Sequence, residues 1–117
     1  MSIDDEKEHV LGADNFKKIE MPVDKPFRVA GTANVHDLAW AISKGLEEGH
    51  RPVLIAIGVQ AITQAVKAIA VANSRVASQG KIFTVLPAFE NVMIPNQQTK
   101  VNEERTVMKL ILVGYRF

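Results

Sequence analysis

Five consecutive apolar residues followed by a glycine occur near the middle of this 117-residue chain: Val53-Leu54-Ile55-Ala56-Ile57-Gly58. The run has no polar alternation, which is typical of a strand that is buried on both faces. After the glycine, an alanine-rich stretch over residues 60–77 predicts the longest helix of the chain. We assign its buried stripe to Ile62, Val66, Ile69, Ala70 and Val76. A central strand therefore leads directly into a long amphipathic helix.

The segment before this unit has the same order of strand and helix. In residues 25–32, apolar Phe27 and Val29 alternate with Arg28, which predicts a half-buried strand with Arg28 pointing away from the core. Asn34 is a favourable N-cap for a helix over about 35–48, and we expect Trp40 of this helix to lie in the core or in an interface. Two right-handed crossovers in one direction then place both helices on one face of the sheet.

Two further β segments follow, over residues 81–89 and 105–113. Pro87 predicts that the first of them is an edge strand or contains a bulge. The polar residues 95–102 between them predict a protruding hairpin tip. The fold class is therefore α+β, a two-layer β-α-β-α-β-β sandwich in which one face of the sheet is uncovered.

The last strand presents two different faces. The better core face consists of Thr106, Met108, Leu110 and Leu112. The opposite set shares the uncovered face with Arg28 and consists of Arg105, Val107, Lys109, Ile111 and Val113. This face is either a nucleic-acid surface or a subunit interface with bases at its rim, and its aliphatic residues favour the interface. We therefore predict an isologous homodimer that buries Val107, Ile111 and Val113.

Composition limits the class of protein. Hydrophobic residues make up 47% of the chain and charged residues 23%, which is typical of one soluble globular domain. Cysteine is absent, so disulfides and thiolate nucleophiles are excluded, and a small fold without such cross-links suits the reducing cytosol. The five-residue apolar run is far shorter than a membrane span, and the start of the chain does not resemble a leader. We expect a cytoplasmic protein.

Charge is distributed unevenly along the chain. Residues 1–24 contain seven acids and three lysines, a net charge of −4, whereas residues 25–117 contain eleven bases and six acids, a net charge of +5. We interpret residues 1–24 as an acidic extension and residues 25–117 as the folded domain. Apolar residues such as Ile19 and Met21 allow part of the extension to lie against the domain. A basic domain beside an acidic extension hints at an anionic partner.

Residues that commonly carry catalysis are sparse. His9, His36 and His50 do not share the spacing of a metal site, and no serine stands in a nucleophile motif, so we predict no catalytic residue, metal or cofactor. The two strand-to-helix turns, residues 31–34 and 58–61, bring both helix amino termini to one edge of the sheet. Such ends can bind a phosphate or a carboxylate. A weaker alternative is therefore a ligand-binding or catalytic domain that uses these ends.

Several short blocks occur in an order that resembles the stage V sporulation protein S family. They are Ala56-Ile57-Gly58, residues 64–70, Leu86-Pro87-Ala88-Phe89, Glu103-Glu104-Arg105-Thr106 and Lys109-Leu110-Ile111. The resemblance covers about residues 25–117. It implies the Alba-like fold with strand order 1-2-4-3, and a small, dimeric bacterial protein that binds DNA or RNA and regulates development. The alternative is a regulator that binds only proteins.

The resemblance also implies contact residues for nucleic acid. Gln64, Lys67, Arg105 and Lys109 stand where the residues of the family blocks stand. Where the family has a base late in the second helix this chain has Asn73, for which Arg75 is a nearby substitute. The predicted nucleic-acid contacts are Arg28, Gln64, Lys67, Arg75, Arg105 and Lys109. The hairpin tip departs from the Alba nucleic-acid arm, because its single base, Lys100, precedes two acids.

Overall fold

The computed structural model describes residues 17–23 and 26–117 of the chain. They form, in chain order, β1 (Lys17–Lys18), β2 (Phe27–Val29), α1 (Val35–Glu47), β3 (Val53–Ala56), α2 (Val59–Ala77), β4 (Lys81–Pro95) and β5 (Asn102–Arg116). The predicted order β-α-β-α-β-β is confirmed from β2 onwards. His9 and the first sixteen residues of the acidic extension lie outside the described residues.

The sheet is mixed, and β3 lies in its interior. The parallel pair β2–β3 is joined by β5, which runs antiparallel to β3, and β4 pairs with β5 on its other side. The order 1-2-4-3 is therefore confirmed for the four predicted strands. Leu54 and Ala56 are fully buried and Val53 is buried on the other face, as the apolar run of β3 predicts. The position of β4 at an edge agrees with the presence of Pro87.

The start of α1 follows directly from its sequence. The Asn34 side chain accepts hydrogen bonds from the backbone N–H groups of His36 and Asp37, at 2.9 and 3.1 Å, which confirms it as the N-cap. The helix buries Ala39, Ile42 and Leu46 against the core. Trp40 lies on the opposite face and is 57% exposed, so the core alternative for this residue is wrong.

Alanines form the buried stripe of α2, not the larger residues that we expected. Its buried residues are Ala61, Ala65, Ala68, Ile69, Ala72 and Val76. Only Ile69 and Val76 of the predicted stripe are buried, whereas Val66 is 54% exposed and Ala70 is exposed. Small side chains let α2 lie close to α1 and the sheet, so the helix is rotated and its larger apolar residues face outward.

The β4–β5 hairpin is longer than predicted. Its strands remain paired from Lys81 opposite Arg116 out to Pro95 opposite Asn102. At the tip, the Asn96 side-chain oxygen accepts hydrogen bonds from the backbone N–H groups of Gln98 and Thr99. These bonds close the turn locally, so the outer part of the hairpin is paired without a hydrophobic core beneath it.

Residues 17–23 lie against the domain. Lys17 and Lys18 pair with Arg116 and Tyr115 of β5, and the Ile19 N–H donates a 2.9 Å hydrogen bond to the Gly114 carbonyl. Ile19 and Met21 pack against the core, as expected. Gly114 makes this possible, because a Cβ at this position would lie 2.7 Å from Leu46 Cδ1 and 2.9 Å from Met21 Cε. The boundary at residue 24 stays a prediction.

Candidate nucleic-acid interface

Two of the predicted contacts share a row across the uncovered face of the sheet. Arg28 pairs with Ile55, and Ile55 pairs with Lys109, so the three side chains lie on one face of adjacent strands. Arg28 is exposed. Lys109 is partly buried, and its Nζ lies 3.8 Å from Glu90 Oε2, so its charge is partly compensated within the chain. Arg28 is therefore the more accessible cation of this row.

Arg105 extends the uncovered face towards the hairpin tip. It lies opposite Val92, four residues before Lys109 on the same strand, and is exposed. Four residues of a strand span roughly 13 Å, so Arg105 and Lys109 can contact different phosphates but not the same one.

The two predicted contacts on α2 belong to the other layer of the fold. Gln64 Nε2 donates a 2.8 Å hydrogen bond to the Ala33 carbonyl, which ties α2 to the turn before α1. Lys67 is exposed on the outer surface of the helix. These residues lie on the helix-covered side of the sheet, so one flat surface does not contact Arg28, Arg105 and Lys67 together.

Arg75 lies in the last turn of α2, at the opposite end from Gln64. Its neighbour Asn73 has a structural role. Asn73 Nδ2 donates to the Phe83 carbonyl at 3.1 Å, and the Phe83 N–H donates to Asn73 Oδ1 at 2.6 Å. The asparagine therefore satisfies the outward backbone groups of an edge strand. A base at residue 73 could not form this pair of bonds.

The two strand-to-helix turns border a surface depression of about 360 Å³. Gly31, Val59, Gln60, Thr63 and Gln64 line it. Gly58 caps α2 at φ +85° without a side-chain hydrogen bond. Thr63 Oγ1 donates to the Val59 carbonyl, and Gln64 is held by Ala33. The polar side chains around the depression are thus occupied within the chain, and the anion site predicted here stays a hypothesis.

The residues that we predicted for the dimer interface are more buried than a free interface requires. Val107 is only 2% exposed within the single chain, and Ile111 and Val113 are half-buried. The expectation that Val107 stands uncovered is wrong, because its strand neighbours already shield it. Their role in a dimer stays a prediction, and Val107 has almost no surface to contribute.

An exposed apolar surface lies elsewhere, between α2 and β4. A groove of about 370 Å³ is lined by Ile62, Val66, Ile69, Val85, Pro87, Met108 and Leu110. Beside it, Leu86 is 59% and Phe89 is 77% exposed. Sequence reasoning missed this groove because it assigned Ile62 and Val66 to the core. The four alanines at spacings of four, three and four residues are the signal that could have found it.

Other chemistry has little support in the part of the chain that the structure describes. Within residues 17–23 and 26–117, no group of three or more histidine or acidic side chains could hold a metal ion. Neither helix among these residues is long and apolar enough to cross a membrane. On α1, the Lys44 Nζ lies 4.7 Å from the centre of the Trp40 ring, so the exposed indole is partly covered by a cation.

The comparisons with known proteins agree with this geometry. The chain matches Alba from Thermoplasma volcanium with a TM-score of 0.51 at 8% identity, over 80% of this chain and 100% of that one. The fold is therefore Alba-like. Residues 25–115 match the model of the stage V sporulation protein S family, SpoVS. The chain belongs to this family, as its sequence blocks indicated.

Proposed function

We propose that this chain is a non-catalytic, dimeric regulator of the cytosol that binds nucleic acid. The family and the fold support a small regulatory protein. The observation that carries nucleic-acid binding is the presence of exposed bases at predicted contact positions: Arg28, Lys67 and Arg105. None of the three forms an ion pair within the described residues. Unpaired exposed cations suit phosphate contacts that do not read the base sequence.

Salt-titrated binding to a DNA duplex and to single-stranded RNA tests this function. Binding through phosphates predicts that affinity falls steeply as salt rises, with a slope of about −0.9 per contacted phosphate on duplex DNA. The triple variant Arg28→Gln/Lys67→Gln/Arg105→Gln should weaken binding similarly for all sequences. Lys44→Gln is the control, because Lys44 already pairs with Glu48 and Trp40. The absence of binding to both probes at low salt would reject the function.

The dimer in this proposal uses the groove between α2 and β4. The groove accepts apolar side chains, and Leu86 and Phe89 project beside it from the same strand. A two-fold axis can therefore place the projecting residues of each copy in the groove of the other. No charged residue lines the groove, so two identical copies meet there without like-charge repulsion.

Light scattering on a matched pair of variants tests the dimer. Val66→Asp places a charge in the groove, and it should give a folded monomer because Val66 is already half-exposed. Val59→Asp is the control on the same helix, since Val59 is 80% exposed and lies outside the groove. A wild-type monomer at micromolar concentration, or a Val66→Asp variant that remains dimeric, would contradict this interface.

The alternative is a regulator that binds only a protein. The exposed Trp40 supports it, because tryptophan is enriched in the energetically important parts of protein interfaces. The same titration separates the two functions, since the alternative predicts no binding to either nucleic acid.

A further inference from the structure

Positive charge on the described residues is concentrated at one end of the molecule. Here α1 and α2 end, β3 and β4 begin, and the end of β5 pairs with β1. Seven bases lie at this end, against three acids, Glu20, Glu47 and Glu48; the bases are Lys17, Lys18, Lys44, Arg51, Arg75, Lys81 and Arg116. The rest of the described chain, including the hairpin, has five bases and four acids. The net charges are therefore +4 and +1.

Three of these bases stand side by side across adjacent strands. Arg116 of β5 pairs with Lys17 on one side and with Lys81 on the other. Paired residues of neighbouring strands point to the same face and lie about 5 Å apart. Like charges in this arrangement destabilise a sheet. An anion bound between them would remove that repulsion.

Acidic side chains do not compensate this cluster. None of Lys17, Lys81 and Arg116 forms an ion pair among residues 17–23 and 26–117. Glu47 instead accepts a hydrogen bond from Gln79, and Glu48 pairs with Lys44. A surface cavity of about 170 Å³ opens beside the cluster, lined by Lys17, Lys18, Ile19 and Arg116. The cluster is thus accessible from solvent and unpaired.

We propose that these residues form a phosphate-binding surface that supplies the main contact of this chain with a nucleic-acid backbone. We name it the basic pole and define it by Lys17, Lys18, Arg75, Lys81 and Arg116. The proposal rests on the proposed function of nucleic-acid binding and changes where that binding occurs. The predicted contacts are weaker candidates, since Lys109 pairs with Glu90 and Gln64 is held by Ala33. Guanidinium groups such as that of Arg116 suit phosphate oxygens geometrically.

The test compares two triple variants of the full chain that lose the same charge. The pole variant is Lys17→Gln/Lys81→Gln/Arg116→Gln, and the face variant is Arg28→Gln/Lys67→Gln/Arg105→Gln. Each is titrated against a 20-base-pair DNA duplex and against inorganic polyphosphate at several salt concentrations. We expect the pole variant to lose at least tenfold more duplex affinity than the face variant. Its salt slope should fall by about 0.9 for each lost contact. Its melting temperature should equal or exceed that of the wild type, which excludes unfolding as the cause.

The outcomes separate this inference from the function on which it rests. Duplex binding that only the face variant weakens would overturn the pole and retain the function. Polyphosphate binding lost in the pole variant, without any wild-type binding to DNA or RNA, would retain the pole as a phosphate site and reject the function. Wild-type protein that binds neither probe would overturn both.

Discussion

The hairpin tip and the basic pole lie at opposite ends of the same two strands, β4 and β5, yet they differ in packing and in charge. Near the pole, Phe83 and Leu112 are buried beneath the helices. Towards the tip, Phe89 and Met93 are 77% and 60% exposed, and the acids Glu103 and Glu104 outnumber Lys100. In this chain, the part of the fold that protrudes is therefore not the part that carries the positive charge.

The largest expected effect tests the difference in packing. Leu112→Ala removes a fully buried side chain and should cost about 2–5 kcal/mol of unfolding free energy. Ile94→Ala lies near the tip, half-buried with only one neighbouring strand, and should cost about 1 kcal/mol or less. Urea denaturation of both variants gives the comparison. Equal losses would mean that the outer hairpin packs as tightly as the body.

The body of the fold was predictable because its signals are local. Asn34 identified the start of α1, and the unbroken apolar run of β3 identified an interior strand. The outer hairpin was not predictable, because residues such as Asn91 and Glu103 lack apolar alternation and pair only through their backbone and turn. The rotation of α2 was missed because hydrophobicity favours Val66 over Ala65, whereas close packing favours the smaller side chain.

A second prediction concerns the exposed edge of β4. Asn73→Ala removes both hydrogen bonds to Phe83 and should cost about 1–3 kcal/mol. Amide exchange at Phe83 should accelerate at the same time. Asn91→Ala is the control near the tip, because Asn91 makes one exposed bond to Thr106 and should cost about 0.5 kcal/mol. An unchanged exchange rate at Phe83 in Asn73→Ala would show that the edge does not depend on this side chain.

A third prediction tests the charge repulsion at the pole. Lys81→Gln removes one of two like-charged neighbours of Arg116 and should stabilise the protein by about 0.2–1 kcal/mol at low salt. The gain should shrink as salt rises, because screening weakens the repulsion that it removes. Lys67→Gln is the control, since Lys67 is exposed on a helix and has no cross-strand neighbour. A loss of stability in Lys81→Gln would show that an anionic group already compensates Lys81.

The pole itself was beyond sequence reasoning. Lys17 belongs to a segment without helical or strand periodicity, and nothing in the sequence pairs it with Arg116. The register of β1, β5 and β4 brings Lys17 and Lys81 to either side of Arg116. The predicted contacts depended instead on the family blocks, which do not include residue 17, 81 or 116.

The smallest expected effect concerns the acidic extension. Residues 1–16 contain five acids and one lysine, a net charge of −4, and they directly precede Lys17. Within one chain they act as a tethered competitor for the anion that the domain binds, at an effective concentration that reaches the millimolar range. Deleting residues 1–24, the whole predicted extension, would confuse this effect with a loss of stability, because Ile19 and Met21 pack on the core.

Deleting only residues 1–16 keeps that packing and should tighten duplex binding by up to roughly threefold, or about 0.7 kcal/mol. The gain should be greatest at low salt, where exposed charges are least screened. Replacing the same five acids by their amides is the matched variant, because it removes the charge and keeps the length. If both changes act through competition at the pole, neither should alter binding once Lys17, Lys81 and Arg116 are neutralised. A gain that persists in the neutralised background would place the competition elsewhere on the domain. A lower melting temperature with unchanged affinity would show that the extension only stabilises the fold.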